Sequence, residues 1–352
     1  MHAIRFRLVL NPLVIGGLLI VVLIGLASSH NAVHAATHAT YTVIAGTDTP
    51  YGLGAMAFGP QTVKVHRGDT VTWQFMGFHN VHFAQKPADL VVVSQIDGKP
   101  VPEFNPAIAF PSMKPGDVYK ADASSGVPLP EPGQSPEAAL AAFTVSVVMD
   151  VEPGTYGYVC DLHPGMVGSI VVVDDKTQIP SPAEVAKTGK AELEAIIAAG
   201  DKAYMDLLRK FPPQAQGDTL QVSAGGQEGV AAIIRFFPES ATILAGQSVT
   251  WTVPKGFEPH TINLPLPKDG RPSEFAFMMD SNKRPHVLPT DVLTANAKSG
   301  AEVSPDGNIK SGFLLPGQGF TLRFTKPGSY PYFCALHPNM FGTIVVLPAE
   351  QK

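Results

Sequence analysis

Two stretches of this chain are written almost twice over: EPGTYGYVCDLHPGMVGSIVV at 152–172 and KPGSYPYFCALHPNMFGTIVV at 326–346. The likeness reaches upstream, where VKVHRGDTVTW ends at Trp73 and ATILAGQSVTW at Trp251. The two cysteines stand 174 residues apart and the two tryptophans 178 apart. So nearly constant an offset marks a duplicated domain, which settles the architecture before any local reading. Each copy sets β-branched residues around a Gly turn, the pattern of strand, turn and strand. Glycine and proline, at 33 each, suit short strands and turns rather than a helical bundle. The expectation is an all-β chain of two tandem domains, 38–175 and 216–350, with residues 176–215 between them.

The N-terminus reads as a separate segment. Arg5 and Arg7 precede the unbroken apolar run Leu13–Leu26, and small residues follow at Ala27-Ser28-Ser29 and at Val33-His34-Ala35. This is the pattern of an export signal, so residues 1–35 are expected to be a signal peptide and the protein periplasmic or otherwise extracytoplasmic. Leu8–Ala27 is also long enough to serve as an uncleaved membrane anchor. Without residues 1–35, 23 basic residues face 30 acidic ones, a formal charge of −7. Neither that charge nor the −5 of the whole chain suits a nucleic-acid binder. It suits a partner protein with a basic docking surface.

Between the copies, Ser181-Pro182-Ala183-Glu184 reads as a capping box with Pro in the first turn. Leu193, Ile197, Gly200, Tyr204, Leu207 and Phe211 then recur at helical spacing, up to Pro212-Pro213. Residues 181–211 are therefore expected to form an amphipathic connector, broken near Gly189, whose apolar face packs on one or both domains. Each domain also holds a long stretch between its early histidine and its cysteine. The first carries nine prolines from Pro100 to Pro136, and the second covers 265–316. Loops of that length are often functional, but their sequence does not say what they contact.

The chemistry sits in C-x2-H-x2-M, present as Cys160, His163 and Met166 and again as Cys334, His337 and Met340. In both copies an aromatic strand leads in and an aliphatic strand leads out, which puts the motif on a tight loop. Upstream, His79 and His260 each follow the Trp-containing strand. Two imidazoles, one thiolate and one thioether are the donor set of an electron-transfer copper site, trigonal His2Cys with a weak axial Met. His82, three residues after His79, is an alternative ligand in the first copy. His79 is preferred because it matches His260 in position.

These segments resemble the cupredoxins, the blue copper proteins of plastocyanin and amicyanin type, over most of 40–175 and 217–348. The resemblance implies Greek-key β-sandwiches and electron transfer through a type 1 copper in each domain. Carried over by position, the ligands are His79, Cys160, His163 and Met166, then His260, Cys334, His337 and Met340. Members of the family often place Asn after the first histidine to tie the ligand loops together. Asn80 fits and Thr261 departs, which leaves support of the second site in doubt and lets the two coppers differ in potential.

Other readings compete. A single Cys160–Cys334 disulfide or inert core thiols would leave the repeated His and Met spacing without a reason. Zinc accepts Cys and His but does not select methionine. Two such domains also occur in copper nitrite reductases and multicopper oxidases, which need further histidines at a domain or subunit boundary. Here Val159 and Phe333 precede the cysteines, Asp161 and Ala335 follow them, and residues 36–352 contain no His-x-His pair. His38, His66 and His286 are expected to be solvated, and Trp73 and Trp251 to be core anchors. An electron carrier is thus preferred over an enzyme, with copper buffering or delivery a third reading. A partner is expected to reach the metal through the exposed edge of His163 or His337.

Overall fold

Alternation of side chains builds each half. In the strand Thr40–Asp48, Tyr41, Val43 and Ala45 point inward while Thr42 and Ile44 lie at the surface side. The same period of two buries Val71, Trp73 and Phe75 in Thr70–Phe75, and Leu220 and Val222 in Thr219–Glu228. The structure is a computed structural model that describes residues 38–349, except 131–133, 257, 269, 271 and 304–306. The proposed leader lies outside the described residues. No described helix is long and apolar enough to cross a membrane.

Each half is a two-sheet sandwich, as the resemblance implies. In the first, Leu53–Gly59, Thr40–Asp48, Thr70–Phe75, Val145–Val148 and Asp117–Val118 neighbour one another in that order. The facing sheet runs Thr62–His66, Val167–Val173, Gly154–Val159. The second half repeats this with Ala231–Phe237, Thr219–Glu228, Ser248–Thr252, Gly319–Phe324 and Ala301–Val303. Ser240–Leu244, Phe341–Leu347 and Gly328–Phe333 lie opposite, followed by Asn263–Leu264 and Ile309–Lys310. The duplication extends to core geometry. Trp73 meets Tyr158 edge-on with ring centroids 5.2 Å apart, and Trp251 meets Tyr332 likewise at 5.2 Å. Both tryptophans are buried, as the sequence predicts.

The two sandwiches share one sheet. Leu53–Gly59 pairs antiparallel with Ala231–Phe237, Ala55 opposite Ala231 and Leu53 opposite Ile233, giving ten continuous strands. Ile234 N–H donates to the Gly52 carbonyl at 2.6 Å, and Met56 N–H to that of Val230 at 2.8 Å. Each edge thereby satisfies backbone groups that would otherwise stay open to foreign strands.

The connector is one unbroken helix, Pro182–Lys210, capped by Ser181 and Glu184 in the reciprocal arrangement the sequence predicts. It packs across the strand junction on both halves, with Ile196, Ile197, Tyr204 and Leu207 against Leu53, Ala231, Ile233 and Phe237. The expected break at Gly189 is absent. Glycine there lets the helix backbone approach Gly59, whose carbonyl a β-carbon would overlap. That contact offsets the roughly 1 kcal/mol that glycine costs in a helix.

The long stretches meet each other. A hairpin of Val91–Ile96 and Lys99–Phe104 in the first half abuts one of Phe275–Met279 and Pro285–Pro289 in the second. Phe104 lies against Phe275 with centroids 5.2 Å apart, and Ser281 N–H donates to Asp97 at 3.0 Å. His286, expected in solvent, is buried at this contact with Nδ1 2.7 Å from Glu103 Oε2. Its partner is 183 residues away, beyond any local pattern.

Candidate metal centre

In the first half, the chain leaves Gly154–Val159 at Cys160 and re-enters the sheet at Val167. Two backbone bonds close the loop between them: Cys160 N–H to the Met166 carbonyl at 2.9 Å and Met166 N–H to that of His163 at 3.0 Å. The second half repeats them, Cys334 to Met340 at 3.0 Å and Met340 to His337 at 3.4 Å. The upstream histidines come from the loop after the Trp-containing strand. Each lies against a glycine in the left-handed region, Gly46 (φ 76°) beside His79 and Gly225 (φ 82°) beside His260. A β-carbon at either glycine would overlap Nε2 of the ring, so that edge faces backbone and Nδ1 faces the cysteine.

The donors converge. Cys160 Sγ lies 3.9 Å from His79 Nδ1 and 3.5 Å from His163 Nδ1, and the two imidazole nitrogens are 2.9 Å apart. Cys334 Sγ lies 3.8 Å from His260 Nδ1 and 3.5 Å from His337 Nδ1. Nitrogens held at about 2.0 Å and a sulfur at about 2.3 Å from one ion sit roughly 3–4 Å from each other. Both trios therefore fit a single cation. Met166 and Met340 are buried at the ends of the same loops. His82 is not part of the cluster; its Nδ1 is 3.0 Å from Asp161 Oδ1.

Burial keeps His79, His163 and His260 below the ordinary imidazole range, which favours the neutral form that binds metal. It also pushes the Cys160 thiol up to about 12, so metal binding there must displace a proton. In the second half burial again opposes charge, but Cys334 and His337 act as counter-ions. The thiol is held well below its usual range, and His337, also beside Glu258, is raised to about 10.

The ligand loops are tied differently in the two halves. Asn80, fully buried, accepts from Asp161 N–H at 2.8 Å and donates to Asp161 Oδ2 at 2.7 Å. The doubt about Thr261 is removed. Its hydroxyl oxygen accepts from Ala335 N–H at 2.7 Å and from Asn263 Nδ2 at 2.7 Å, and its own N–H points at Cys334 Sγ at 3.4 Å.

The outer edges of His163 and His337 are not free for a partner, contrary to expectation. Their side chains are 14% and 18% exposed, and both face Glu258. His337 Nε2 is 3.2 Å from Glu258 Oε2, and His163 Nε2 is 3.8 Å from Oε1. Burial works to raise Glu258, but the histidines around it outweigh that and hold its carboxyl below the usual range. Sequence reasoning missed Glu258, Gly46 and Gly225. The glycines carried a signal, an Ala-Gly pair in corresponding strands (VIAGTD, VSAGGQ). Glu258 carried a weaker one, because two residues before its ligand histidine the first copy has Gly77.

Comparison with known proteins agrees with this chemistry. Residues 46–173 match the family model described as copper binding proteins, plastocyanin/azurin family. A chloroplastic plastocyanin of Tetradesmus obliquus is 27% identical over 171 residues, 47% of this chain and 92% of that protein. Amicyanin-alpha of Methylorubrum extorquens is 26% identical over 126 residues, 36% of this chain and 76% of that protein. Among solved structures, amicyanin from Paracoccus versutus aligns at 19% identity with a TM-score of 0.22, covering 38% of this chain and 85% of that one.

Proposed function

From a chain that belongs to the cupredoxins, the copper-binding family of plastocyanin and azurin, we infer an exported electron carrier with two type 1 copper sites. The observation that carries this reading is the convergence of Cys, His and His in each half, on loops closed by backbone bonds. Bound there, copper supplies a one-electron couple. The residues supply the rest. Cys160 and Cys334 give the thiolate, and His79, His163, His260 and His337 give nitrogen through Nδ1. Met166 and Met340, buried at the ends of the same loops, would add a thioether sulfur to each set. The loop bonds and the ties through Asn80 and Thr261 hold the donors in one arrangement through the redox cycle, which keeps reorganisation small.

Three of the four remaining histidines, all but His38, are engaged elsewhere, which favours a carrier over a nitrite reductase or oxidase. His82 is engaged by Asp161, His286 by Glu103, and His66 Nε2 lies 2.9 Å from the Thr177 carbonyl. The protein acts outside the cytoplasm on the strength of its leader, and its partners are redox proteins whose basic surfaces match the charge of −7.

Metal analysis with visible and electron paramagnetic resonance spectra tests the reading. Two coppers per chain and an intense thiolate-to-copper absorption are expected. A colourless protein after cupric loading, or turnover of nitrite or phenols, overturns it.

A further inference from the structure

We propose that Glu258 couples the two metal sites, one carboxylate oxygen serving each half, so that a single side chain tunes both and bridges the route between them. The inference rests on the copper reading. Its basis is geometric. In both halves Nδ1 faces the cysteine, so a metal held there would leave Nε2–H as the outward donor. His337 Nε2–H donates to Oε2 at 3.2 Å. Among the described residues Oε1 is buried with no hydrogen bond, and His163 Nε2 lies 3.8 Å from it. A buried carboxylate oxygen is costly without a donor, and the imidazole nitrogen facing this one is His163 Nε2, so the geometry pairs Oε1 with the first half.

A cation held by Nδ1 would withdraw electrons from the ring, so His163 Nε2–H would become a stronger donor toward Oε1. A carboxylate bonded to a ligand imidazole raises its basicity and stabilises the more highly charged oxidised state. Because Glu258 touches imidazoles from both halves, that stabilisation is shared. With copper in both halves, the imidazole–carboxylate–imidazole chain would offer a route for one electron from the reduced half to the oxidised half. One half loses the electron that the other gains, no covalent bond forms or breaks, and no proton moves.

Glu258 is a positioning residue, and its test uses Glu258→Gln and Glu258→Asp in the full chain. Spectroelectrochemistry in the Cys160→Ser and Cys334→Ser backgrounds reads each half alone. Glu258→Gln should raise the potential of both halves and weaken cupric binding in each by roughly 10- to 100-fold, and Glu258→Asp should restore part of both. In the metal-free chain, Glu258→Gln should also shift the imidazole nitrogen resonances of both His163 and His337. A change confined to the Cys334 half and His337, or to neither half, overturns the coupling even in a protein that binds two coppers. A wild-type chain that binds no copper fails the parent reading instead. There the resonances still decide, because a shift at both histidines upholds the shared carboxylate and a shift at one removes it.

Discussion

The two metal sites carry the same donors on the same loop, yet the side chains that tie their loops together differ. In the first, an amide and a carboxylate do the tying. Asn80 and Asp161 bond each other, and Asp161 gathers His82 Nδ1 and the Ala88 N–H at 2.8 Å. In the second, the residue after the cysteine is Ala335, and a hydroxyl does the same work, Thr261 holding the Ala335 N–H with Asn263 behind it. Duplication preserved the residues that must touch a metal. The supports were free to change, because any group that satisfies the Cys-adjacent N–H suffices.

The sharpest break of the comparison is at the sulfur. Cys160→Ser and Cys334→Ser should each remove one copper and its share of the blue absorption while the other half keeps its own spectrum. Loss of both bands on one substitution would show that the halves do not assemble separately. The supports should differ in cost. Asn80→Ala strands a buried N–H and a buried carboxylate oxygen and should destabilise by about 3 kcal/mol. Thr261→Val removes the acceptor shared by Ala335 N–H and Asn263 Nδ2 but leaves no charged group unpaired, and should cost about 2 kcal/mol, both read from urea midpoints. Equal costs would mean that the two ties are equivalent.

The smallest effect is one of pH, and it belongs to the first half alone, since the counterpart of His82 is Asn263. The bond to Asp161 raises His82 above its ordinary 6.5. Its stabilisation is therefore complete below that value and is lost as pH rises through the raised folded value. Asp161 is lowered. Burial opposes this, but the bonds from His82, Ala88 and Asn80 outweigh it, so its share persists above 3.8 and is lost only in stronger acid. His82→Gln should lower the urea midpoint more at pH 6 than at pH 9, by under ~1 kcal/mol because His82 is partly screened by solvent.

How far the sequence could be read follows from how local each interaction is. Cys160, His163 and Met166 lie within one loop, so their spacing alone announces them, and a repeat 174 residues later removes chance. The cap at Ser181 and Glu184 was legible for the same reason. Asn80 was readable as a tie only through the resemblance to a family that often places Asn there. Thr261 was not, because what a hydroxyl can do depends on which backbone group lies beside it. Gly189 was misread as a break, since glycine weakens a helix locally and only the nearby Gly59 shows why it is there.

The residue order alone determined the two-fold repeat, the all-β class, the candidate donor types and the helix between the copies. All of these follow from short-range periodicity and from donor chemistry, which a linear string records. Packing in three dimensions joined the edge strands into one sheet, brought Glu103 to His286, and set Glu258 between His163 and His337. Those contacts span 79 to 183 residues or run from one copy to the other. Their free energy depends on distance and burial, quantities that exist only once the chain has folded.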